Sequence, residues 1–308
     1  MMRRRMEQMV RETQAAICGA LAPLDARPFQ EDAWRHHEGG GGLSRVLQDG
    51  TVFDKAGVNV AAVEGTLHRD ALAAMIAKED LDPTSHRFSA VGLSVVVHPR
   101  SPWVPTVHCN YRYFELDDGR WWFGGGTDLT PAYVLDEDAR HFHGTLKATC
   151  DRHDAAFYPR FKKWCDDYFQ LPHRGEARGV GGIFFDDLRD RDSAALFAFV
   201  ADCAAAFLPA YLPLVERRLS QPWGERESHW QGLRRGRYVE FNLMYDRGTR
   251  FGLRTGGRVE SILMSLPLHA RWEYAHEPEP GSAEARTLDV LRHPREWTVE
   301  GGGDVPAR

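Results

Sequence analysis

The chain has 308 residues, 43% of them hydrophobic, enough to bury the core of one large or two average domains. A net charge of -5 provides no basic field for nucleic acid or anionic lipid, and no membrane span is expected, since no window reads as the roughly 18 apolar residues a span needs. Five scattered cysteines, odd in number and without a CxxC pair, argue against a disulfide framework and a thiolate zinc site and for a reducing compartment, so a cytoplasmic protein is expected.

The apolar positions near the N-terminus recur at helical spacing, and Glu7 and Glu12 interrupt any export signal, so an amphipathic helix is expected over residues 4–22, closed by Pro23. His36, His37, Glu38 and the glycines at 39–42 read as a loop, suited either to an anion held by main-chain amides or to plain linkage. Asp49-Gly50 predicts a hairpin between short strands at 44–47 and 51–53, with 56–63 extending the sheet. A helix over 70–77 leads to strands at 88–98 and 106–116, then a turn at Asp117-Asp118-Gly119 and a third strand ending at the glycines 124–126. Asp136 is the expected N-cap of a long helix reaching Phe169, interrupted at Pro159, and GVGGIFFDDL (179–188) reads as a buried strand.

A core helix over 193–219, kinked at Pro209 and Pro213, precedes a short helix at 226–235 and three late strands at 238–245, 251–253 and 258–263. A last helix is expected near 283–292, followed by a disordered tail at 301–308. With no repeat and no composition break, residues 1–308 read as one α+β domain built on a large antiparallel sheet with helices on both faces.

Strand spacing puts His108, Asn110 and Arg112 on one face, where they offer proton transfer, hydrogen bonding and anion binding; an ordinary polar sheet edge is the alternative. Only five of the 39 basic side chains are lysines, and the guanidinium fork suits a polyanionic ligand, although codon bias would leave the same mark. His108 is the best acid-base candidate. Ser94 lacks a nucleophile elbow and is read as a hydrogen-bonding group. Asp128 follows three glycines, where it faces a cavity or caps a turn, and Arg178 and Arg258 stand beside glycines, able to meet an anion or an acidic neighbour. His98, His108, His143 and His173 have ligand chemistry but no metal-site spacing, which favours separate roles.

The blocks GGGGLSRVLQDGTVFDKAGVN, VGLSVVVHPRSPWVPTVHCNYR, WWFGGGTDLTPAY, KKWCDDYFQLPHRGEARGVGGIFFDDL and RRGRYVEFNLMYDRGTRFGLRTGGRVESILMSLP, in this order over residues 5–297, resemble the oxygen-dependent coproporphyrinogen-III oxidase family. Departures are small: Gln170 stands where an aromatic residue is expected, and the link between Phe114 and Trp121 is short. The resemblance implies a large, flat antiparallel sheet between helical layers, a homodimer formed through about 238–273, and coproporphyrinogen III as substrate. It also implies that the propionates of rings A and B become vinyl groups with O2 as co-substrate and no organic cofactor. By the same resemblance His108 is a proton donor, and Ser94, Asn110, Tyr111, Arg112, Gly256, Gly257 and Arg258 contact substrate, with Asp128 and Arg178 at the active site. His98, His108, His143 and His173 match metal-ligand positions, which leaves a divalent cation open. In the expected arrangement one enclosed cavity lets Arg112 and Arg178 hold propionates while Asp128 accepts a pyrrole N–H. A histidine-metal oxygenase and a tetrapyrrole carrier stay open as rival readings.

Overall fold

Alternating β-branched and aromatic residues across the first 190 positions build the centre of the molecule. In the computed structural model, which describes residues 1–67, 87–254 and 257–298, seven strands form one antiparallel sheet. In spatial order they are β1 (Gln30–Arg35), β2 (Gly40–Gln48), β3 (Phe53–Thr66), β4 (Arg87–Pro99), β5 (Thr106–Leu116), β6 (Trp121–Thr130) and β9 (Gly181–Leu188). A two-stranded ribbon, β7 (Gln170–Leu171) with β8 (Glu176–Ala177), lies apart from it. The expected helix at 70–77, Gly256 and the tail at 301–308 fall outside the described residues.

The period of two divides the sheet chemically. Val58, Val60, Leu93, Val95, Cys109, Tyr111 and Phe123 point to one side and join the main core with α1 (Met2–Leu21), α2 (Asp136–Asp151), α3 (Phe157–Tyr168), α4 (Ser193–Ala205) and α5 (Phe207–Arg218). Each such side chain contributes about 1.5–3 kcal/mol when fully buried. In α1 the buried positions Met6, Val10, Gln14, Ile17 and Leu21 form the expected stripe, and the Gln14 amide donates to the carbonyls of Leu43 and Val58. The other side of the sheet carries Asn59, Ser94, His98, His108, Asn110, Arg112 and Asp128, and α6 (Glu225–Met244) packs toward its lower half through Arg235, which bonds Asp54 and the Pro99 carbonyl.

Several expectations need correction. The glycines at 40–42 belong to β2, between β1 and β3; a Cβ on Gly42 would strike the Trp34 ring and the Val60 carbonyl, so close strand approach accounts for the run. β6 continues past its glycines to Thr130, which places Asp128 inside a strand. The long helix breaks at residues 152–156, and Pro159 occupies the first turn of α3, where the missing N–H breaks no helical bond. The 193–219 helix divides at Ala206 into α4 and α5. This stretch is long and apolar enough by composition to cross a membrane, which corrects the reading that no window qualifies, but half of that window is buried and Phe199, Val200, Phe207 and Tyr211 lie in the core.

The largest error is the late β block. The helix expected at 226–235 is present as the first half of α6, which runs on to Met244 and is followed by α7 (Arg247–Arg254) and α8 (Val259–Leu263). Among the described residues of 238–263 none is in a strand. Trp230, Leu233, Tyr238 and Phe241 follow helical spacing and are buried, a stripe that outweighs the local enrichment in aromatic residues. The final helix, α9 (Ala283–Arg292), lies where expected and is capped by Ser282.

Candidate active site

Strand register sets the polar face in rows. His108 pairs with Val96 on one side and Asp128 on the other, Asn110 with Ser94 and Gly126, and Arg112 with Gly92 and Gly124. Successive rows are ~7 Å apart along the strand. Gly92, Gly124 and Gly126 leave the ground between the functional side chains free of Cβ atoms, and a Cβ on Gly124 would lie 2.8 Å from the Arg112 guanidinium. The result is a shallow floor with polar groups at its edges. Gly124 and Gly126 are buried, while His108, at 21%, and Arg112, at 36%, are partly exposed.

At the centre is a chain of three ionisable groups. His108 Nδ1 lies 2.7 Å from Asp128 Oδ1, and Arg178 donates to Asp128 Oδ2 at 2.5 Å. Side-chain exposure rises along it, from 1% for Arg178 and 3% for Asp128 to 21% for His108, so the imidazole is the end that meets the floor. Burial alone would push the Asp128 carboxyl up, but the Arg178 guanidinium and then His108 more than offset this and hold it below the ordinary carboxylate value. Arg178 sits among the rings of Phe169, Tyr238 and Phe241, 4.1, 4.7 and 4.9 Å from their centroids. Its expected propionate contact is therefore corrected: Arg178 is the buried counter-ion of Asp128.

With Nδ1 committed to Asp128, Nε2 is the His108 ring nitrogen left for the floor. A carboxylate fixing one imidazole nitrogen so that the other can take or give a proton is a familiar catalytic arrangement. Arg112 is 36% exposed and held by Asn110 Oδ1 at 3.0 Å and Asp186 at 2.6 Å, and its five N–H donors leave capacity for an anion. Ser94 and Asn110 share a row between Arg112 and His108, and both are partly exposed. Asp186 was not foreseen, although it lies four residues beyond Gly182, the partner of Asp128, on the same face of β9.

Tyr111 does not join this group. Alternation turns it to the opposite face, fully buried, with its hydroxyl 2.5 Å from Thr127 Oγ1. Arg258 opens α8, bonds Ser261 and pairs with Asp32 on the edge strand, over the Trp34 ring. That places it at the β1 end of the sheet, with Gly257 beside it, away from the His108 row.

The four histidines do not assemble as a metal site. His98 is buried with Nε2 on the Ser265 carbonyl and Nδ1 near Thr106, and burial, then Arg235, push its pKa down to about 3. His143 is enclosed between Tyr158 and the Val180 carbonyl, pushed down to about 3 by burial and then Lys162. His173 bridges Glu240 and Tyr245. With both ring nitrogens of these three engaged and their partners different, the donor set does not fit a shared cation. Among the described residues the one His/Cys/carboxylate group with metal-ligand proximity is His229, Glu273 and His276, none of which was foreseen.

A family model described as coproporphyrinogen III oxidase matches residues 5–297. The chain is 56% identical over 305 residues to the oxygen-dependent coproporphyrinogen-III oxidase, chloroplastic, of Glycine max, covering 96% of this chain and 79% of that protein. It is 55% identical to the Drosophila melanogaster oxygen-dependent coproporphyrinogen-III oxidase, covering 96% and 78%. It is 54% identical to the mitochondrial enzyme of Homo sapiens, covering 96% and 67%. Chloroplastic and mitochondrial relatives overturn the cytoplasmic location expected from composition.

Proposed function

The chain belongs to the coproporphyrinogen III oxidase family, and from that premise we infer that it is an oxygen-dependent coproporphyrinogen-III oxidase acting in haem biosynthesis. Two propionates of coproporphyrinogen III become vinyl groups. Each –CH2CH2COOH plus O2 gives –CH=CH2, CO2 and H2O2, so O2 takes up the two electrons and two protons that the side chain and its carboxyl group release.

The observation that carries the mechanism is the graded chain from Arg178 through Asp128 to His108, ending on a partly exposed imidazole. A porphyrinogen is electron-rich, and removing a pyrrole N–H proton makes it a better electron donor to O2. His108 Nε2 takes that proton, Asp128 fixes the ring and stabilises the imidazolium, and Arg178 keeps Asp128 ionised. Arg112 holds a propionate against the floor, with Asn110 and Ser94 as hydrogen-bonding neighbours. No step is routed through a metal, because His98, His143 and His173 each have both ring nitrogens engaged with partners other than His108.

Aerobic incubation with coproporphyrinogen III is expected to give the divinyl product with one O2 consumed per vinyl formed, and anaerobic incubation none. Binding without aerobic product would establish the carrier reading instead. Activity is expected to survive exhaustive chelation with metal content verified, and activity that vanished and returned with one cation would establish the metal reading.

A homodimer through about 238–273 is also proposed. Leu243, Met244, Phe251, Leu253, Val259 and Trp272, all within that stretch, are 42–52% exposed, apolar side chains that a subunit contact would cover. Sedimentation should report a dimer for the native chain and a monomer for the Phe251→Asp, Leu253→Asp double variant; an unchanged mass would place the contact elsewhere.

A further inference from the structure

Below the His108–Asp128 row, a partly enclosed cavity is lined by His98, Thr106, Thr130, Arg234, Arg235 and Tyr238, among others. Thr130 is two residues from Asp128 on β6, while the Tyr238 ring forms part of the Arg178 cage. The space is ≈ 10 Å³, room for one water-sized or halide-sized guest. Four polar atoms on its lining residues have no hydrogen-bond partner: Thr130 Oγ1, Arg234 Nη2, Arg235 Nε and the Tyr238 hydroxyl. All four residues are more than nine-tenths buried. Unmet donors at such depth are costly, and here two of them carry charge.

The surrounding charges do not balance. Asp54 serves both Arg235 and Arg100, Glu176 serves both Arg234 and Arg237, and Glu240, the closer partner of Arg237, also serves Arg174. Five guanidiniums thus share three carboxylates, with Arg100 and Arg174 also meeting solvent at 42% and 38% exposure. His98 adds no acceptor to the cavity, since both its nitrogens are engaged. A water molecule could accept from the two guanidiniums, but it would leave the excess positive charge in place.

We propose that this cavity is a binding site for a small inorganic monoanion of the halide class, held by Arg234, Arg235 and the Thr130 hydroxyl. One such ion answers the donors and the charge together, and it would brace the residues behind Asp128 and Arg178 without entering the reaction.

The test is thermal unfolding of the full chain in sodium gluconate, titrated with sodium chloride or bromide at constant ionic strength. A saturable rise in Tm of ~2 °C or more is expected from a site filled well above its Kd. Thr130→Val, which removes only the hydroxyl, should move the midpoint about tenfold higher, and Arg235→Gln should abolish the rise. Should Arg235→Gln fail to fold, the Thr130→Val midpoint decides. Crystals grown in bromide should show an anomalous peak between the two guanidiniums. A Tm that is unresponsive or drifts linearly with salt, a rise unaffected by Thr130→Val, or a water in place of bromide would each overturn the proposal.

Discussion

Asp128→Asn is expected to lower kcat by about 10²–10⁴-fold with little change in KM, the range usual for groups acting through a general base. The substitution keeps the shape of the side chain but allows its amide to donate to His108 Nδ1, which would move the imidazole proton to Nε2 and present a donor to the floor where an acceptor is required. It also removes the charge that would stabilise the imidazolium. Because Asp128 is only 3% exposed and acts through His108, it is a positioning residue, and substrate affinity should depend instead on Arg112. A purely structural role would lower the amount of folded enzyme, leaving the kcat per folded molecule and its pH profile unchanged. Titrating active sites and comparing pH profiles of kcat therefore separates the two, and a folded variant with native kcat and profile would remove Asp128 from the chemistry.

The sheet was legible because strand periodicity and hairpin turns are local signals. The functional face was legible for the same reason: His108, Asn110 and Arg112 share a strand and a parity. Tyr111, placed at the site by family resemblance alone, has the opposite parity, and the structure turns it into the core. The helix expected at 226–235 is the first half of α6, but its continuation through 238–244 and the helices that follow were less legible, because aromatic and glycine-rich stretches mimic strands and turns. Only the spacing that carries Trp230 and Leu233 on to Tyr238 and Phe241 marks a helix. Least legible was the fate of Arg178. Its sequence neighbours, Glu176 and glycines, suggest a surface anion contact, whereas its physical partners are Asp128, 50 positions away, and three rings contributed by the end of α3 and by α6. Such partners are brought together by tertiary packing, and no window of sequence contains them.

Arg178→Met should destabilise the fold by about 3–5 kcal/mol at neutral pH, because it leaves the Asp128 carboxylate buried with His108 as its remaining partner. That corresponds to a fall in Tm of roughly 10 °C for a chain of this size. The pH dependence tells whether charge is the cause. In the native protein the folded pKa of Asp128 lies below its unfolded value of ~3.9, so its contribution is present above that pH and is lost as pH falls through the folded pKa. In the variant the strongest opposing charge is gone and desolvation dominates, so the folded pKa rises above the unfolded one. The penalty is then absent below pH ~4 and grows as pH rises from there to the new folded pKa. Urea unfolding of both proteins should accordingly give a stability gap that is wide at pH 7 and narrow near pH 4. A gap of constant width would assign the cost to lost packing against Phe169, Tyr238 and Phe241, and the ion pair with Asp128 would then have no measurable part in holding the site together.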